Sequence, residues 1–97
     1  MRKITADALR AFRNWKKFKR GNTEVKVNLT ECYLYLHGNM IAKFNRNDGL
    51  WISDGGWQTN TTKERLNGLP NVHIYQKDFQ WYLNDEAWNG EWTYICF

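Results

Sequence analysis

The chain has 97 residues, with six Trp, five Tyr, five Phe, one Pro and two Cys, and a formal charge of +4. A single domain over residues 1–97 fits that length, because a second core would leave both halves marginal. So aromatic a composition excludes a disordered basic tail, two cysteines exclude a disulfide scaffold, and no run is long and apolar enough to span a bilayer.

Charge is unevenly spread. Residues 1–22 hold eight Lys or Arg against one Asp, a charge of +7, whereas residues 23–97 hold six against nine acidic side chains, a charge of −3. The charged start, Met1-Arg2-Lys3-Ile4-Thr5-Ala6-Asp7, is not expected to act as a signal peptide. A helix is predicted over residues 6–19, capped by Thr5, with Asp7 in its first turn, cations at its end and Gly21 as its stop. On a 3.6-residue period, Ala8, Ala11, Phe12, Trp15 and Phe18 share the docking face. Arg10, Arg13, Lys17 and Arg20 line another side, flanked by Lys16 and Lys19.

After Gly21-Asn22 the apolar period becomes two. Val25, Val27 and Leu29 alternate with polar residues. Cys32, Leu34 and Leu36 then alternate with Tyr33, Tyr35 and His37 before a His37-Gly38-Asn39 turn. Strands are predicted at 40–44 and 50–53, separated by turn residues that include Asp48-Gly49. The four strands read as an antiparallel meander.

Asp54-Gly55-Gly56-Trp57 breaks that pattern, and Thr61 with Glu64 forms a capping box for a short second helix that stops at Pro70. Further strands fit residues 72–76 and 80–83, joined at Lys77-Asp78-Phe79, and a last extended piece fits 91–97. The fold expected is α+β, with the N-terminal helix packed on an antiparallel sheet and a second short helix between strands four and five.

Chemistry-bearing motifs are sparse. There is no serine elbow, His-Glu-x-x-His zinc motif or phosphate-binding loop, and two histidines without a close cysteine pair make a zinc site improbable. His37 and His73 read as surface or sheet-packing residues, and Cys32 and Cys96 as small apolar ones. Asp48, Asp54, Asp78 and Asp85 suit turns. Gly55-Gly56 fits an ordinary strand-to-helix turn better than an anion cradle. No enzyme activity, cofactor or metal is expected.

Binding is therefore the expected role. Arg10, Arg13, Lys16, Lys17 and Arg20 could hold the phosphates of DNA or RNA, with exposed aromatics such as Tyr33, Tyr35, Trp51, Tyr75 and Tyr82 adding stacking surface. Alternatively Trp57, Trp88 and Trp92 could plug into a protein partner. A homodimer through the aromatic sheet face is also open. A membrane-surface helix is disfavoured, because the sheet needs the helix as its cover.

Three runs carry a resemblance: Leu36-His37-Gly38-Asn39-Met40-Ile41-Ala42-Lys43, Gly56-Trp57-Gln58-Thr59-Asn60-Thr61-Thr62-Lys63-Glu64-Arg65-Leu66-Asn67 and Gln80-Trp81-Tyr82-Leu83-Asn84. The chain resembles small accessory proteins encoded by tailed bacteriophages. The resemblance implies a protein made in the cytoplasm of an infected bacterium, accessory to replication or directed at a host protein that it inhibits or modulates. It brings no site residues with it.

Overall fold

A computed structural model describes residues 2–95. Its elements are α1 (Lys3–Arg13), β1 (Phe18–Arg20), β2 (Thr23–Val27), β3 (Glu31–Leu36), β4 (Asn39–Asn45), β5 (Gly49–Ile52), α2 (Asn60–Leu66), β6 (Ile74–Lys77), β7 (Gln80–Leu83), β8 (Glu86–Ala87) and β9 (Thr93–Ile95). An antiparallel six-stranded sheet runs β1-β2-β3-β4-β5-β9, and β6-β7-β8 form a second, three-stranded sheet.

Helix α1 packs on this sheet as expected, but it ends six residues before Lys19. Trp15 takes a left-handed φ of 57°. Its amide donates to the Phe12 carbonyl, and the Lys16 amide donates to that of Ala11 at 2.9 Å. This is a Schellman cap, with Trp in the position usually held by Gly. Phe18 and Lys19, expected at the end of the helix, instead join Arg20 in a strand that pairs with β2, placing Phe18 opposite Val25. Trp15 and Phe18 both still pack against the core. Gly21 turns a hairpin instead of stopping a helix.

The N-terminal cap also differs from expectation. Arg2 occupies that position, its amide donates to Glu64 at 3.2 Å, and Thr5 lies buried within the helix, where its hydroxyl bonds Glu64. In α2 the cap is Thr59, not Thr61. Its hydroxyl accepts from the Thr62 amide at 3.2 Å, and Glu64 turns to α1 instead of closing a capping box.

The sheet's inner side carries Val25, Cys32, Leu34, Leu36, Ala42, Leu50, Ile52 and Ile95, all buried. A register shift at Leu34/Tyr35 admits one extra residue on β4, so consecutive Ile41 and Ala42 are both buried. Helix α1 covers β1, β2 and β3, and α2 contacts β4 and β6. Ile74, Trp81, Leu83 and Trp88 of the second sheet and its flank join the same core.

Arg65 ties the layers together. It is only 1% exposed, yet its Nε donates to Thr23 at 3.1 Å and its Nη2 to Asn22 at 3.5 Å, while Nη1 bonds Thr5 and Glu64. Gly90 closes a second junction, where a Cβ would lie 1.8 Å from an Asp54 carboxylate oxygen. The Asp54 amide donates to the Gly90 carbonyl at 3.0 Å.

Candidate nucleic-acid interface

Arg10 and Arg13 occupy the last turn of α1, where the helix dipole favours cations. Lys16 and Lys17 follow in the linker that Trp15 redirects, and all four are exposed. Among the described residues Arg13, Lys16 and Lys17 form no ion pair, and Arg10 approaches Asp7 only at 3.8 Å. Arg20 stands apart. On β1 it turns toward the helix and binds Asp7 at 2.8 Å, a hydrogen bond that holds the Asp7 carboxyl below its usual range.

The expected helical stripe is thus not a single line. Two cations lie on the helix, Lys17 on the linker and Arg20 on a strand folded back beside it. The β4–β5 turn contributes a cation missed by sequence reasoning. The Arg46 guanidinium lies 5.1 Å above the Trp15 ring, which meets Phe44 edge-on at 6.3 Å. Around the sheet edge, Lys17, Lys19 and Lys26 line an open cleft of about 510 Å³ together with Glu24.

Beyond that edge is the sheet's outer side, opposite the buried row of Val25, Leu34, Ala42 and Ile52. The pairings Lys26↔Tyr33, Tyr33↔Lys43, Lys43↔Trp51 and Trp51↔Tyr94 place five residues in one row across five strands. Tyr94 is 45% exposed, and Tyr33, Lys43 and Trp51 are half-buried. Trp51 and Tyr94 meet edge-on at 5.5 Å. Lys43 lies 4.8 Å from the ring of Trp92, and Lys26 lies 4.9 Å from that of Tyr35. Lys43, Trp51, Trp92 and Tyr94 line a cleft of about 590 Å³, with Glu31 and Asp48 also on its walls. Tyr75 and Tyr82 do not join this row; they stack on each other at 5.2 Å on the second sheet.

The three candidate plugs separate. Trp57 is 65% exposed and Trp92 40% exposed. Trp88 is buried, and its indole donates to the Glu91 carbonyl and the Thr93 hydroxyl, so it completes the core instead of projecting outward. Trp57 stands beside a cleft of about 480 Å³ that also includes His37, Asp54 and Thr61. In the adjoining loop, the amides of Gly55 and Gly56 donate to Ser53 and Asp54 at 3.0 and 2.7 Å, which leaves neither for an anion.

Burial pushes the Cys32 thiol up to about 11, so it stays protonated at neutral pH. His37 contacts Asn22, and His73 lies against Tyr75. Among the described residues no three His, Cys, Asp or Glu side chains gather as a metal site. No helix among them is long and apolar enough to cross a membrane. Cys96 lies outside the described residues.

No curated protein and no solved structure matches the chain. The family model described as Kyanoviridae Gp96 protein matches residues 1–95, and the chain therefore belongs to that small phage family.

Proposed function

We propose that this phage accessory protein is a non-catalytic nucleic-acid-binding protein. It works in the cytoplasm of the infected bacterium and grips backbone phosphates with Arg10, Arg13, Lys16 and Lys17. The observation that carries this reading is the grouping of these exposed cations at the end of α1, three of them without an ion pair among the described residues. Arg46 strengthens the local field, and Lys17 extends it to the edge cleft. A carboxylate already neutralises Arg20, which therefore contributes chiefly by holding β1 to α1. Contacts of this kind release counterions and carry little sequence selectivity.

The test is fluorescence anisotropy with labelled single- and double-stranded DNA and RNA at low salt. Wild type is expected to bind. The combined variant Arg10→Glu, Arg13→Glu, Lys16→Glu, Lys17→Glu is expected to lose binding while keeping its far-UV spectrum and cooperative melting. Failure of wild type to associate with any of these ligands would end the proposal.

One observation favours a second reading, a host-protein contact centred on Trp57. A tryptophan 65% exposed beside an open cleft has the character of an interface anchor. A partner retained from bacterial lysate after nuclease treatment, and lost in Trp57→Ala, would favour this reading over the first.

A further inference from the structure

We infer that the outer side of the six-stranded sheet is a stacking platform for a single nucleic-acid strand, with the row Lys26, Tyr33, Lys43, Trp51 and Tyr94 as its centre. This rests on the nucleic-acid reading above and adds the class of ligand.

The argument begins with the register. Adjacent strands lie about 4.8 Å apart, so the row spans roughly 19 Å, room for a few unstacked bases. Cations and rings alternate along its first part, and Trp92 adds a ring beside Lys43. Stacked bases inside a duplex offer no ring faces to such a surface, whereas an unpaired strand offers one at every nucleotide. Glu24 and Glu31 lie on the same side and match the charges of Lys26 and Lys43, Asp48 stands on the cleft wall, and Tyr33 donates its hydroxyl to Glu31 at 2.7 Å. Stacking must therefore supply the affinity at the centre, while Lys17, Lys19 and Lys26 hold phosphates where the strand crosses the β1 edge.

A second copy of the chain is the main competing occupant. Pairing this side with itself would desolvate Lys43 in the middle of the row, and lysine is depleted from the cores of protein interfaces. A strand that brings its own phosphates satisfies the same ammonium groups.

The probe is a labelled 20-nucleotide oligodeoxythymidine, with a duplex of equal length as control. Trp51→Ala and Tyr94→Ala are each expected to weaken single-strand binding about tenfold, to change duplex binding less than about twofold, and Trp51→Phe to restore most of the loss. Unchanged single-strand binding in both alanine variants, alongside loss in the four-glutamate variant, would overturn the platform and leave the phosphate reading standing. An equal loss for both ligands would also overturn it. Absence of wild-type binding to both probes would overturn the platform, and a failure to bind RNA as well would end the phosphate reading. Mass in solution is expected to be monomeric at the working concentration; a dimer dissolved by Trp51→Ala would assign this side to a second copy.

Discussion

Arg65 brings a charge and five N–H donors into a space almost closed to water, a costly arrangement unless its partners are fixed. Thr5, Thr23, Asn22 and Glu64 supply those partners from α1, β2, the β1–β2 turn and α2. Truncating the arginine leaves the Thr5 and Thr23 hydroxyls and the Glu64 carboxylate without their shared donor. Arg65→Ala is expected to cost about 3–5 kcal/mol in urea unfolding at neutral pH, and Arg65→Lys to recover only part, because an ammonium lacks the planar fork. A loss below about 1 kcal/mol would show that the network is incidental. Acid adds a directional check. Burial pushes the Glu64 carboxyl up, but the Thr5 hydroxyl, the Arg2 amide and Arg65 together outweigh it and leave the group below its ordinary range. That contribution is complete above the ordinary glutamate range and is lost as pH falls through the lowered folded value. The stability gap between wild type and Arg65→Ala should therefore narrow in acid.

Among the elements, the hairpins show what local pattern can and cannot reveal. His37-Gly38 adopts φ values of 51° and 78°, the left-handed pair of a two-residue turn, and a glycine there announces it. Asp78-Phe79 adopts 52° and 66° without any glycine. The alternation on either side of Lys77-Asp78-Phe79 reveals a turn, but not that Phe79 would sit in a strained conformation at 96% exposure. Phe79→Gly is expected to raise stability by about 1 kcal/mol, since a left-handed L-residue costs that much; an unchanged or lower melting temperature would mean that the ring stabilises the hairpin in solution. The N-terminal segment misled for a related reason. Phe12, Trp15 and Phe18 satisfy a helical period, yet the same burial of Phe18 is achieved once Trp15 turns the chain and β1 pairs with β2. Pairing energy comes from β2, which no local window around Phe18 contains. Likewise β9 joins β5 from the far end of the sequence, so the row ending at Trp51 and Tyr94 depends on a register that alternation alone does not specify.

Across the whole molecule, the charge asymmetry read from residues 1–22 survives folding, but its cations do unequal work. Arg10, Arg13, Lys16 and Lys17 were visible as candidates from charge alone, because exposed cations need no partner to be recognised. The loss of Arg20 to Asp7 and the gain of Arg46 above Trp15 were not visible, since both depend on the chain folding back on itself. This inequality can be read through salt. Binding that neutralises four or five phosphates should give a slope of log K against log salt between about −3 and −4.5, by the ~0.7–0.9 counterions released per phosphate contact. Lys17→Ala should make that slope shallower by about 1. Arg20→Ala should leave it nearly unchanged and lower the melting temperature instead, because its guanidinium already serves Asp7. Equal slope changes in the two variants would return Arg20 to the binding surface, and a wild-type slope near zero would mean that phosphates do not hold the ligand.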